Sequence, residues 1–301
     1  MRTFDPNELK KLYQPHPLSS GEQNGQVTII GGSKLFHGAP ILSLKVASRI
    51  VDMVFFASPE ESFREVTNRI KSELMSFIWV PWEDVDAYIK KSDAVLIGPG
   101  FMRYRRENQK SEIKNQNGSS EIRSYDSEGR KTRNITQRLL KQFPEKRWVI
   151  DAGSLQVMDV EWIPEKAILT PNTKEFEMLF KVKIQKSNIK MTDQNSKIVG
   201  EMVKRYGCTI VLKGPETIVA SPNDCALVKG GNAGLTKGGT GDILAGLTVA
   251  LLAKNEPFLA AASASFIIKK AADELYEKVG VNFNSDDLAD KIPETLKNLL
   301  G

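Results

Sequence analysis

Gly238-Gly239-Thr240-Gly241-Asp242 runs directly into the apolar stretch Ile243-Leu244-Ala245-Gly246-Leu247. Glycines let a backbone turn sharply and bring its N–H groups close to a ligand. A helix that starts at such a turn points unsatisfied N–H groups and the positive end of its dipole outward. That combination favours an anion such as phosphate. Asp242 then stands at the edge of an anion site, where a carboxylate is suited to taking the proton from a hydroxyl that attacks the phosphate. The same residues also describe a plain Gly-rich turn with a helix-capping Asp, so the choice falls to the rest of the chain.

Upstream, short apolar runs alternate with helical spacing. Val27–Ile30 ends in Gly31-Gly32-Ser33, Ala94–Ile97 in Gly98-Pro99-Gly100, and Trp148–Ile150 at Asp151. Ala167–Leu169 ends in Thr170-Pro171-Asn172 and Thr209–Leu212 in Lys213-Gly214, while Met53–Ala57 and Phe77–Val80 are further strands. Ile41–Ile50 has helical apolar spacing, and a short helix is expected around Glu8–Tyr13. This alternation predicts an α/β fold, a mostly parallel central sheet with helices on both faces. Thr217–Ala220 and Ala226–Val228 read as an antiparallel extension, and Gly241–Lys254, Pro257–Val279 and Asp286–Leu300 as helices. The Gly, Asp, Asn and Lys residues gather just after the strands, at the edge where open α/β sheets bind ligands.

At 301 residues the chain can bury a large core, and one α/β domain or two smaller ones both fit. Apolar residues at 41% and charged residues at 26% are ordinary for a soluble protein. No apolar run reaches membrane-spanning length, and Met1–Pro6 lacks the apolar core of a signal peptide, so the cytoplasm is the expected compartment. Cys208 and Cys225 have no metal-ligand spacing and are expected as buried small hydrophobes. Two histidines, His16 and His37, cannot make a His-based metal site, though His37 is a candidate substrate contact. The net charge of +5 comes without a continuous basic block or an aromatic-spaced RNA motif. A small polyanionic molecule therefore suits the chain better than nucleic acid.

Residues 102–134 are dominated by Arg, Lys, Glu, Asn, Gln and Ser. Such a composition cannot offset the entropy of its own ordering by burial. The stretch reads as an insertion between two strands, a mobile lid or plain disorder, whose removal is expected to leave the fold intact.

The candidate site residues converge on a nucleotide. Lys213-Gly214, followed by Thr217, ends a strand with a cation and a residue that permits close approach. Gly230-Gly231-Asn232-Ala233-Gly234 is a flexible loop able to fold over the nucleotide, and Gly238, Gly239, Thr240 and Gly241 supply the anion hole beside Asp242. Ala39-Pro40, Gly98-Pro99-Gly100, Asp151 and Asn172 would line a second substrate's pocket. Glu175 either orients water or a metal-bound phosphate, or caps the helix that starts near Thr173. No Gly-Lys-Ser/Thr follows the glycines, and Gly31-Gly32-Ser33 does not complete the dinucleotide fingerprint.

Taken in order from about Leu12 to the C-terminus, these pieces resemble the ribokinase-like superfamily, and within it the NAD(P)H-hydrate dehydratases. The resemblance rests on Pro15-His16-Pro17 with Gly25-Gln26-Val27, on Ile30–Ser33 with Gly38-Ala39-Pro40, and on Ile97-Gly98-Pro99-Gly100. It continues through Asp151, Leu169-Thr170-Pro171-Asn172 with Glu175-Phe176, Val211-Leu212-Lys213-Gly214 with Thr217-Ile218, and Asn232–Lys237 ahead of the GGTGD turn. It implies a single three-layer sandwich domain over residues 1–301, interrupted at about 102–134. It implies ATP or ADP as co-substrate with Mg²⁺ on the phosphates, no metal ligand being assignable from the sequence. Lys213 to Thr217 and Asn232 to Gly241 would bind the adenine nucleotide. Asp242 would be the base, and Ala39, Gly100 and Asn172 would touch the hydrated nicotinamide nucleotide. The implied partners are a separate NAD(P)H-hydrate epimerase and further copies of the chain, in a homo-oligomer, often a tetramer in the family.

Three positions depart from the family pattern. Asn172 stands where the family usually has His, Ser154 where it has a second acid, and Ser19-Ser20-Gly21-Glu22 where it has His-Lys-Gly. Asn172 with Glu175 is closer to the small-molecule kinases of the superfamily, so a vitamin or sugar kinase is the alternative reading.

Overall fold

The computed structural model describes residues 1–63, 65, 74–104, 119–184 and 193–301, with backbone alone for 119–126 and 193. Ten strands form one sheet: β1 (Arg2–Thr3), β2 (Gln26–Ile30), β3 (Met53–Ala57), β4 (Ile78–Trp79), β5 (Ala94–Ile97), β6 (Arg147–Ile150), β7 (Ile168–Leu169), β8 (Thr209–Leu212), β9 (Thr217–Ala220) and β10 (Cys225–Val228). Their order across the sheet is β1-β10-β9-β8-β7-β6-β5-β2-β3-β4. Strands from β4 through β8 run parallel, and β9 and β10 add antiparallel neighbours. The short edge strand β1 carries too few residues for a period-two signal and was not expected from the sequence. It pairs parallel to β10, and Arg2 holds Glu8 and Asp224.

Central strands are buried on both faces, which is why they read as continuous apolar runs. The pleat sorts them. Val27, Ile29, Phe56, Leu96 and Val211 pack on one side with helices α1 (Gly38–Ala47), α7 (Thr240–Leu252), α8 (Pro257–Val279) and α9 (Ser285–Leu300). Ile30, Phe55, Val95, Ile97, Trp148 and Leu212 pack on the other. There they meet α2 (Val85–Lys91), α3 (Ser119–Gln142), the short α4 (Ala152–Val157), α5 (Thr173–Phe180) and α6 (Asp193–Tyr206). The result is a sandwich of helices, sheet and helices. Helix α7 is buried almost all round and is apolar to match. Gly246 lets it press on α1, where a Cβ would lie 2.6 Å from Ser43 Cα.

Within the polar stretch 102–134, residues 105–118 lie outside the described residues. The C-terminal part is a packed helix, which corrects the expectation of disorder and of harmless removal for that part. Thr132 and Thr136 of α3 are buried. Arg133 donates to the Val157 carbonyl at 2.6 Å, pairs with Asp159 and lies 4.4 Å from the ring centre of Trp162. A polar composition concealed this because a guanidinium can pack through its planar face as well as its charge.

Because β2 and β5 to β8 run the same way, their C-terminal ends share one edge. That edge brings together Gly31-Gly32-Ser33, Gly98-Pro99-Gly100, Asp151, Asn172 and Lys213, and a single bridge pairs Asn172 with Lys213. No helix among the described residues is long and apolar enough to cross a membrane.

Candidate active site

The Gly-rich turn enters α7 through Gly239, whose φ of 93° is left-handed and natural for glycine. A Cβ there would meet Leu42 Cδ1 at 2.5 Å and Ser285 Oγ at 2.6 Å. No side chain caps the helix start. The turn is braced instead from outside: Ser285 Oγ donates to the Gly238 carbonyl at 2.5 Å, and Thr240 Oγ1 donates to the Leu235 carbonyl at 2.8 Å. Buried Ser43 donates to the Asp242 carbonyl at 2.7 Å, tying α7 to the helix that carries Ala39. Asp242 thus occupies the first turn of a helix whose position is set on three sides.

Lys213, at the end of β8, is the cation of the site. Its Nζ donates to Asp151 Oδ1 at 3.0 Å and lies 3.9 Å from Glu175 Oε2. Asp151 is 1% exposed and also accepts from Thr170 Oγ1 at 2.7 Å. Burial opposes the charge on Lys213, but Asp151 and Glu175 outweigh it and hold the ammonium above the ordinary lysine value. Burial raises the Glu175 carboxyl above its ordinary value, with Lys213 pulling the other way. Burial, then the negative charge of Asp151, pushes Asp242 up to about 7. Three carboxylates share one ammonium, and the one at the head of α7 titrates near neutrality.

Asn172 and Glu175 form a reciprocal cap on α5. Glu175 N donates to Asn172 Oδ1 at 3.0 Å, and Asn172 N donates to Glu175 Oε2 at 2.9 Å. Glu175 Oε1 accepts from Gln156 Nε2 at 2.9 Å. Of the two readings of Glu175, the structure shows the helix cap; the same carboxylate also lends its charge to Lys213. Its oxygens are engaged, and among the described residues no group of three or more His, Cys, Asp or Glu is placed to hold a metal ion.

Beside this cluster opens a cleft of about 700 Å³. Its walls include Asn172, Lys213, Gly214, Thr217, Asn232, Thr240 and Gly241 from the sequence-derived set. Gly238 and Gly239 shape the turn behind it. Pro215 lies within the expected Lys213–Thr217 segment, whereas the sequence missed Leu244, Ser265, Ile268 and Lys269, which also line the cleft. A lysine pair, Lys269-Lys270, directly after the mostly apolar run Phe258–Ile268 was the signal available.

Ala39, Gly98 and Gly100 lie across the Asp151 cluster from this cleft, and the two glycines are crowded by protein. Gly98 has φ 118°, and a Cβ there would stand 1.9 Å from the Asp151 carbonyl oxygen. At Gly100, φ 74°, it would stand 2.6 Å from the Phe36 carbonyl oxygen. His37 precedes α1 and packs on Phe63, ring centres 4.9 Å apart. Cys208 is buried and its thiol pushed up to about 12, which rules out a reactive thiolate.

The family profile for NAD(P)H-hydrate dehydratase matches residues 27–294. The chain belongs to this family. A bifunctional NAD(P)H-hydrate repair enzyme of Methanocaldococcus jannaschii is 35% identical, over 96% of this chain and 52% of that protein. An ADP-dependent (S)-NAD(P)H-hydrate dehydratase of Nitrosopumilus maritimus is 28% identical, over 96% of this chain and 95% of its own length. The chain spans about half the length, or less, of the bifunctional relatives it matches. The ADP/ATP-dependent NAD(P)H-hydrate dehydratase of Bacillus subtilis, co-crystallised with ATP/Mg²⁺, superposes with a TM-score of 0.74 at 20% identity. That match covers 99% of this chain and 98% of the other. The fold is ribokinase-like.

Proposed function

We propose that this chain uses ATP or ADP to dehydrate hydrated NADH or NADPH, restoring the reduced cofactor. The observation that carries the reading is Asp242: a carboxyl titrating near 7, at the uncapped head of a helix, next to Gly241 on the wall of a cleft. A base with that value is about half ionised at neutral pH and basic enough to accept a hydroxyl proton. Family membership and the ATP- and ADP-dependent relatives support the substrate pair.

Asp242 takes the proton from the hydroxyl of the reduced ring as that oxygen attacks the terminal phosphoryl group. Main-chain N–H groups of the Gly238–Gly241 turn and the Lys213 ammonium offset the charge that develops. The bond to the donor's bridging oxygen breaks and the shortened nucleotide leaves, ADP from ATP or AMP from ADP. The ring C–O bond then breaks to expel phosphate as the neighbouring ring carbon gives up a proton, which restores the double bond. Lys213, Gly214, Thr217, Asn232, Thr240 and Gly241 face the nucleotide, with Gly238 and Gly239 setting the turn. Asp151, Asn172, Ala39, Gly98 and Gly100 border the second substrate. Mg²⁺ belongs with the nucleotide's own phosphates. The whole chain is read as one domain in the cytoplasm, acting as a homo-oligomer alongside an epimerase.

The test follows absorbance at 340 nm when the protein meets hydrated NADH with Mg²⁺ and either ATP or ADP. A nucleotide-dependent rise is expected and names the donor. A flat trace from protein that binds ATP overturns the dehydratase and favours the kinase alternative, for which Asn172 in place of the family's usual His is the supporting observation.

A further inference from the structure

Lys269 has no role in the chemistry above, yet its buried ammonium is held by three main-chain carbonyls. It is 5% exposed on α8, a helix that supplies apolar residues to the core. Its Nζ donates to the Pro215 carbonyl at 2.6 Å, the Gly230 carbonyl at 2.9 Å and the Gly214 carbonyl at 3.4 Å. These oxygens belong to two separate walls of the cleft: the turn after β8, and the Gly-rich loop after β10.

One turn along α8, Asp273 completes the grip. Its Oδ2 accepts from Gly231 N at 3.0 Å. The Gly230 carbonyl and the Gly231 N–H belong to the same peptide group, so Lys269 and Asp273 hold that group at both ends. Gly230 and Gly231 have φ of 91° and 80°. Such glycines leave a peptide free to flip, and the two charges fix it. The stem of Lys269 fills the space where a side chain on Gly231 would sit, with its Cγ 3.0 Å from an added Cβ.

We infer that Lys269 is a positioning residue of the nucleotide cleft, its ammonium stapling the Gly214–Pro215 turn to the Gly230–Gly231 peptide so that the cleft is preset to the nucleotide's width. The inference rests on the nucleotide reading of that cleft. A staple acts on binding: without it, the loop must be ordered each time a nucleotide enters. Its loss therefore appears in affinity before it appears in turnover.

The staple also has a pH sensitivity. Burial lowers Lys269 to about 8, against the opposing pull of Asp273 on its own helix and Glu216 on the turn. On the loop wall, its facing group is the Gly230 carbonyl. A neutral amine keeps two donors and loses the charge that makes three carbonyl contacts favourable.

The experiment measures ADP binding with Mg²⁺ by calorimetry on the full chain, wild type and Lys269→Met, at pH 7.5 and 9.5. The expected result is a Kd about tenfold or more higher for K269M at pH 7.5. The wild-type Kd should rise toward the variant's value by pH 9.5, while that of K269M stays level. In turnover assays the loss should fall on KM for the nucleotide, with kcat changed by less than about threefold. A K269M Kd within twofold of wild type overturns the staple. Should K269M not fold, a wild-type Kd equal at both pH values overturns it. Wild-type protein that binds no ADP at pH 7.5 overturns the nucleotide reading itself, a distinct outcome.

Discussion

At Gly98 an added Cβ would lie 1.9 Å from the carbonyl oxygen of Asp151, whereas at Gly241 it would meet nothing nearer than Lys213 Nζ at 3.5 Å. Both glycines follow a strand or open a helix at the same sheet edge, and in sequence they look alike. Gly98 lets the ends of β5 and β6 close on one another and carries φ 118°. Gly241 leaves space open on the wall of the cleft. A glycine after a strand can therefore serve the protein's own packing or a ligand's approach, and the neighbours decide which.

The largest effect should come from the residue that follows Gly241. Asp242→Asn should retain ADP binding and lose about 10²–10⁴ in rate, read at 340 nm with hydrated NADH. The same variant should be more stable at pH 8. Asp242 titrates at about 7 in the fold against about 3.9 in an unfolded chain. The folded state thus holds the extra proton between those values, and the stability it confers is present below about pH 4 and lost as pH rises through 7. The melting temperature of D242N should exceed that of wild type at pH 8 and converge with it near pH 4. Convergence at every pH would remove the burial strain on Asp242.

The glycine comparison is broken or sharpened by a pair of alanines. Gly98→Ala combines a left-handed φ with a collision against backbone. It should cost about 3 kcal/mol or more, visible as a large fall in melting temperature or as insoluble protein. Gly241→Ala should melt within a few degrees of wild type while binding ADP more weakly, because its methyl enters the cleft. If the two variants melt alike, the two turns are not built for different ends.

The pH dependence comes next in size. The rate should climb with pH through about 7 as Asp242 ionises, then level. Lys213→Met removes the positive charge that draws this value down, so the limb should move to higher pH. An unmoved limb in the protein that remains would separate Lys213 from Asp242. Smallest of all, Ser43→Ala removes the hydrogen bond to the Asp242 carbonyl that ties the Ala39 helix to α7. It should cost about 1 kcal/mol, a shift of roughly 2–4 °C in melting temperature.

Most of the architecture was legible because parallel strands are buried on both faces and so appear as unbroken apolar runs. Met53–Ala57, Ala94–Ile97, Thr209–Leu212 and Pro257–Val279 lie where their composition put them. What escaped was structure without a periodic signal. Strand β1 has two residues, and α3 reaches into a polar stretch that packs through Arg133 on Trp162 rather than through aliphatic side chains. At the site, the strand-end residues were legible because their place follows from topology. Lys269 was not, because its partners are carbonyls of Gly214, Pro215 and Gly230, and a main-chain oxygen has no letter in a sequence.

Residue types and their order by themselves determined the layered α/β fold, the sheet edge that carries the site, and the presence of Asp242 at a helix start. Those follow from local propensity and hydrophobic pattern, which each segment carries alone. The tertiary structure decided which charges share a site: Lys213 between Asp151 and Glu175, Asp242 raised toward neutrality, and Lys269 across two walls of a cleft. Charge interactions depend on distance and burial between residues far apart in the chain, and these exist only once the layers have closed.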